Sequence, residues 1–176
     1  MNGDNDMYLG KASGSAPPGL SQLLTELGDG ETGFGGTSFG AGTATLDEFL
    51  HRCLDGEDPA KLSPGFVPQT IFWMIDNTGQ AVGMVRVRHC LNDRLIQQGG
   101  HIGYYVRRSE RGKGYAKFAL RSAVEFLKKR GIKRILVTVD PANEASVRVV
   151  LATGGMIDGQ GRSTESDKIV NRYWIE

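Results

Sequence analysis

Apolar positions recur at helical spacing in several stretches of the chain and crowd into short runs in others. Leu20, Leu23, Leu24 and Leu27 share one face, with Ser21 as a candidate cap and Gly28 as a stop. Leu46, Phe49, Leu50 and Cys53 make a second stripe over about 46–54, behind the cap candidate Thr45. Ala116, Ala119, Leu120, Ala123, Phe126 and Leu127 line one side of the clearest helix, predicted over 112–130. Lys128, Lys129 and Arg130 suit the negative end of its dipole, and Gly131 stops it. Strands are predicted at 70–76, 80–90, 101–108 and 134–140, the last buried on both faces. Asn143 opens a further helix to about Thr153, before Gly154-Gly155. A short strand near Met156 and a final one at 168–175 close the chain. Residues 91–100 read as a connection, and no internal repeat is visible.

Composition narrows this picture. At 176 residues and 39% hydrophobic, the chain can build one real core, which excludes wholesale disorder. Eleven of the 25 glycines precede residue 43. We therefore expect residues 1–15 to be a mobile tail and 28–43 to be a long loop or loosely docked arm. The rest reads as a single domain, 16–176, with a helical, Gly-rich part at 16–64 and a core at 65–176. No apolar run reaches 18 residues and the first ten residues are polar, so neither a membrane span nor a secretory signal is expected. Cys53 and Cys90 have no metal or redox spacing and are read as reduced, which points to the cytoplasm.

The net charge of +1 hides an uneven distribution. Residues 1–50 carry −6, whereas residues 86–134 carry +11. Most of these basic side chains fit solvated helix faces. The loop before the long helix gives a subset of them another use. There Arg111-Gly112-Lys113-Gly114-Tyr115-Ala116 joins strand to helix. A helix start offers unpartnered amides at the positive end of its dipole, and two glycines let an anion approach them. A Walker loop is excluded, because Gly114 follows Lys113 where Ser or Thr is needed. A dinucleotide fingerprint lacks its third glycine, replaced by Lys117, although Asp140 sits about where a ribose-binding acid would be. A turn-shaping role for both glycines is the plain alternative.

Arg111-x-x-Gly114-x-Ala116 resembles the Q/R-x-x-G-x-G/A motif of the GNAT superfamily of acyl-CoA N-acyltransferases. The likeness extends to the strand before the loop, the strand at 135–140, and Asn143-x-x-Ser146 leading to Gly154-Gly155. Arg88-His89-x-Leu91-Asn92, the run at 99–104 and the final Arg172-Tyr173-Trp174-Ile175 are similar to a bacterial branch of that superfamily without a settled substrate. The resemblance covers about 65–176, and weakly 45–64.

It implies a mixed α/β (α+β) fold, with a mostly antiparallel central sheet, a splayed parallel strand pair and helices on both faces. It implies an acetyl-CoA-dependent N-acetyltransferase, with acetyl-CoA as cofactor and no metal. The cofactor's diphosphate would meet the amides of Arg111, Gly112, Lys113, Gly114, Tyr115 and Ala116. The backbone of Tyr105, Val106 and Arg107 would pair with its pantetheine arm, and Asn143 and Ser146 would lie beside it. Asn143 also suits a purely structural helix cap. The family's usual proton donor falls on Val150 and its usual base near Gly100, and neither can carry a proton. His101, Tyr104 and Tyr173 are the remaining candidates for proton transfer, with Arg88 and His89 as candidate acceptor-binding residues. The acceptor would be a small-molecule or peptide amine. Pairing through C-terminal strands implies a homodimer. Two other readings stay open: a catalytically silent acyl-CoA sensor, motivated by Val150 and Gly100, and a nucleic-acid binder, which lacks any motif or aromatic platform.

Overall fold

The computed structural model describes residues 7–162 and 168–176. Its elements run β1 (Tyr8–Lys11), α1 (Leu20–Leu27), β2 (Gly30–Glu31), β3 (Phe34–Gly35), α2 (Leu46–Asp55), β4 (Gln69–Ile75), β5 (Ala81–Arg88), α3 (Asp93–Gln97), β6 (Ile102–Val106), α4 (Tyr115–Lys129), β7 (Ile135–Val139), α5 (Glu144–Leu151), β8 (Met156–Arg162) and β9 (Ile169–Ile175). Two antiparallel sheets carry the fold, one in the order β1-β4-β5-β6 and one in the order β7-β9-β8. Helices cover both faces. Alternate residues of each strand point to opposite sides. Ile71, Trp73, Ile75 and Met84 pack under α1 and α2 with Leu23, Leu24 and Leu50. Phe72, Val85, Val87 and Ile102 pack against Leu120, Ala123 and Leu127 of α4. Each fully buried Leu contributes roughly 1.5–3 kcal/mol, so both faces are needed.

The sheets meet at the start of β6. The His101 N–H donates to Leu136 O at 2.7 Å, and the Leu136 N–H donates to His101 Nδ1 at 2.9 Å. The Gly99 N–H donates to Thr138 Oγ1 at 2.9 Å. Gly100 makes this approach possible: its φ is +57°, and a Cβ there would lie 2.5 Å from Leu136 O. Beyond this junction β6 and β7 are not hydrogen-bonded neighbours, so the sheet is split by a gap.

The structure differs from the sequence reading in four places. Residues 8–11, expected in a mobile tail, form β1, because their backbone completes the edge of β4 from Tyr8↔Ile75 to Lys11↔Phe72. The first six residues of that tail lie outside the described residues. Residues 30–35, expected as a loose arm, form a small hairpin pinned by buried Phe34, whose ring packs on Gly103. Helix α1 starts after Gly19 in a left-handed conformation (φ 79°), which leaves Ser21 inside the first turn with no cap to make. The connection at 91–100 contains α3, capped by the Asn92 side chain on the Leu95 N–H at 3.0 Å.

Candidate active site

Two helix starts show how the site arises. At α2, Thr45 and Glu48 form a reciprocal capping box, and free donors are consumed by protein. At α4 the residue before the helix is Gly114, left-handed at φ 90°, with no side-chain cap and no acid in the first turn. The amides from Gly112 to Ala116 consequently donate to no acceptor among the described residues. The Arg111 N–H is the exception within the motif, reaching Arg108 O at 3.4 Å. Gly112 shares the left-handed geometry at φ 79°, and a Cβ on either glycine would enter open space. Free donors at a dipole's positive end, with no side chain in front of them, form an anion cradle.

This cradle closes one end of a cavity of about 370 Å³. The cavity runs between β6 and α5, lined by Tyr104, Tyr105, Val106, Asn143, Ser146 and Val149 among others. A second, smaller cavity of about 120 Å³ lies on the other side of the strand gap, under the β2–β3 hairpin. Thr32, Tyr104, Asn143 and Ser146 line both, so the two cavities meet at the gap.

Register decides which backbone groups face the gap. Arg88 N–H donates to His101 O and Arg107 N–H donates to Val82 O, so Met84↔Tyr105 is a hydrogen-bonded pair and Val85↔Tyr104 and Gly83↔Val106 are not. The amides of Tyr104 and Val106 therefore point away from β5, toward the gap. The sequence reading put Tyr105, Val106 and Arg107 in that role; Val106 faces the gap, whereas the amides of Tyr105 and Arg107 are taken by β5. The Arg107 side chain also turns away, donating from Nε to Glu26 Oε2 at 3.0 Å.

The basic residues of the loop are held by acids. Arg111 Nη2 lies 3.2 Å from Glu31 Oε2, and its Nε donates to Val106 O at 3.1 Å. Arg108 lies 3.4 Å from Glu31, and Lys113 Nζ lies 2.8 Å from Glu110. The Arg111 guanidinium holds the Glu31 carboxyl below its usual range. Burial pushes Glu26 up, but the Arg108 N–H and the Arg107 side chain outweigh it, and its pKa is lowered. The acidic N-terminal segment thus supplies counterions that set these arginines in place.

The proton-carrier candidates separate. Tyr104 stands where the cavities meet, with its hydroxyl buried and, among the described residues, without a hydrogen-bond partner. Burial raises its pKa above the ordinary phenol value, and the nearby Ser146 hydroxyl only partly offsets this. His101 lies outside both cavities' linings. Burial and then Arg88 push its pKa down to about 4, and its Nδ1 is occupied by the Leu136 amide. Tyr173 is buried in β9 and its hydroxyl accepts from the Asn171 amide at 3.3 Å. His89 is also remote, bonded through Nε2 to the Thr70 hydroxyl at 2.8 Å, with its ring tilted against Phe126 at 6.2 Å between centres. Asn143 caps α5 by accepting from the Ser146 N–H at 3.2 Å, and it also lines both cavities. Asp140 accepts from the Ala142 N–H at 2.9 Å and faces the smaller cavity, not the cradle. Among the described residues there is no cluster fit for a metal, and no helix is long and apolar enough to cross a membrane.

Sequence reasoning missed Arg86. It lines the smaller cavity beside Arg88, its guanidinium 4.9 Å from the Phe34 ring centre. The alternation Val85-Arg86-Val87-Arg88 held the signal, since it places both arginines on one side of β5.

The model of the acetyltransferase (GNAT) family matches residues 41–154, most of the chain and all of the cradle. The chain belongs to that family. By membership it is an acetyl-CoA-dependent N-acetyltransferase in class. No curated protein matches it. Among solved structures, the ribosomal-protein-S5-alanine acetyltransferase from Vibrio fischeri is 17% identical with a TM-score of 0.67, covering 96% of this chain and 91% of that one. A mutant spermidine N-acetyltransferase SpeG from Vibrio cholerae is 15% identical with a TM-score of 0.64, covering 96% and 92%. A GNAT acetyltransferase from Streptococcus pneumoniae is 18% identical with a TM-score of 0.61, covering 97% and 98%. At these identities they show that the fold is shared.

Proposed function

We propose that this GNAT protein transfers an acetyl group from acetyl-CoA to a primary amine by direct attack in a ternary complex. The observation that carries the reading is the meeting of two cavities at Tyr104, one of them ending on the unpartnered amides of Gly112 to Ala116. The residues fit the cofactor. The cradle would hold its diphosphate, with Gly112 and Gly114 leaving the backbone bare. The Tyr104 and Val106 amides would hold the extended arm as a neighbouring strand would. The cofactor brings an activated acyl group on a thiol whose ordinary pKa of about 8.5 makes it a tolerable leaving group.

The chain's own residues then have three tasks. A gap-facing amide on β6 donates to the acyl oxygen as it gains charge. Tyr104 gives its proton to the departing sulfur as the carbon–sulfur bond breaks and the carbon–nitrogen bond forms. Burial keeps that phenol protonated at neutral pH. The amine's own proton leaves to water, since no carboxylate stands at the usual base position: Gly100 is packed against Leu136. Exposed Met156, Ile157 and Ile169 near the β8 edge support the expectation of a second copy there.

The sensor reading is favoured by Val150, which is fully buried and cannot donate a proton. Thiol release from acetyl-CoA across an amine panel separates the two. We expect turnover with at least one amine. Tight acetyl-CoA binding with no turnover on any amine would favour the sensor.

A further inference from the structure

Among the described residues, the smaller cavity has more cationic side chains than acids to balance them. Arg86, Arg88 and Lys168 line it, against one carboxylate, Asp140. Elsewhere in the site most cationic side chains have an acid: Arg107 has Glu26, Arg108 and Arg111 share Glu31, Lys113 has Glu110 and Arg148 has Glu144. Arg86 has none among the described residues. Its Nε is buried without a partner, and its neighbours are the Phe34 ring and Cys53. Cys53 cannot serve as counterion, because burial pushes its thiol up to about 12. Arg88 gives one terminal nitrogen to two carbonyls, Gly99 O at 3.1 Å and Gly100 O at 3.0 Å, which aims it without neutralising it. Guanidinium groups remain charged in proteins, so a partly buried pair with no acid among the described residues is costly unless something else supplies the anion.

Position says what that something is. The cavity opens onto Tyr104 across the strand gap, on the side opposite the cradle. Arg86 and Arg88 lie two residues apart on one strand, with side chains on the same side, roughly 7 Å apart along it. An anion seated between them leaves the rest of a small molecule directed at the gap. The same charges repel ammonium groups, which favours the neutral, attacking form of an amine and disfavours polycations.

Building on the acetyltransferase reading, we propose that the acceptor is a small primary amine carrying its own carboxylate or phosphate. Arg86 takes that anion, Arg88 assists, and the amine nitrogen is presented at Tyr104. Arg86 is thus the residue that sets acceptor class.

The test pairs acceptors that differ only in the anion. Alanine is compared with alaninamide, and 2-aminoethyl phosphate with ethanolamine, with spermidine as the polycation. Each is titrated calorimetrically into the full chain, with and without coenzyme A, and each is assayed for thiol release with acetyl-CoA. We expect the acid of at least one pair to bind and react at least 10-fold better than its uncharged-tail partner. The better pair tells carboxylate from phosphate. Arg86→Gln should erase the difference by raising KM for the acid, with kcat changed less than threefold and acetyl-CoA affinity unchanged. Equal use of acid and amide, a preference for spermidine, or an acid preference that survives Arg86→Gln would overturn the proposal. The wild-type comparison stands even if the variant does not fold. Failure of acetyl-CoA to bind would instead defeat the acetyltransferase reading, and the titrations without coenzyme A would still judge Arg86.

Discussion

Gly114 and Gly131 allow one physical cost to be subtracted from another. Both glycines flank α4, Gly114 at its start with φ 90° and Gly131 just past its end with φ 87°, and a Cβ at either meets nothing within 4 Å. Alanine at a left-handed φ costs about 1–2 kcal/mol whatever surrounds it. In a chain of this length that lowers the melting temperature by roughly 2–8 °C. Gly114→Ala and Gly131→Ala should therefore melt at similar temperatures. They should differ in binding. At Gly114 the new methyl stands before the free amides, and losing one charge-assisted hydrogen bond to a diphosphate costs about 1.5–3 kcal/mol. That weakens acetyl-CoA binding by roughly 10- to 100-fold, measured by calorimetry. Gly131→Ala should bind as the wild type does. If both variants melt lower but Gly114→Ala keeps wild-type affinity, the cradle does not hold the diphosphate.

Three further outcomes follow from the site and the fold. Tyr104→Phe should lower kcat at least tenfold and leave acetyl-CoA affinity unchanged; because burial raises the phenol's pKa from its ordinary value, wild-type activity should show no loss from this group between pH 7 and 9. An unchanged kcat would remove Tyr104 as the acid. His101 is held neutral in the fold, its pKa pushed down to about 4 from 6.5, so the unfolded chain takes up its proton first as pH falls. Its contribution is complete above about pH 6.5 and drains away toward pH 4, and a His101→Gln variant should show a flatter melting temperature across that window. Light scattering should give a mass near twice 19.1 kDa if the β8 edge pairs with a second copy, and a monomer mass would refute that pairing.

Much of the fold was legible because its signals are local. The cap residue Thr45, the apolar stripe of α4 and the β-branched run of β7 each state their element within a dozen residues. The cradle was legible for the same reason, since a Gly-x-Gly at a helix start needs no partner to explain it. What escaped depends on distance along the chain. Strand β1 exists because β4 offers it an edge some 60 residues later. That Tyr104 joins Val106 at the gap, in place of Tyr105 and Arg107, turns on the pairing of β6 with β5, and a one-residue slip would reverse it. The pairing of Arg107, Arg108 and Arg111 with Glu26 and Glu31 spans about 80 residues. Arg86 went unremarked because a charged residue on a strand reads as solvent-facing until a hairpin from residues 30–35 is laid over it.

Backbone amide resonances report most directly on whether the bare nitrogens ahead of α4 are where the cofactor sits. Titrating acetyl-CoA into isotopically labelled protein should move the amide signals of Gly112, Lys113, Gly114, Tyr115 and Ala116 most, together with those of Tyr104 and Val106. Binding that leaves Gly112 to Ala116 unshifted while moving signals elsewhere would contradict the account.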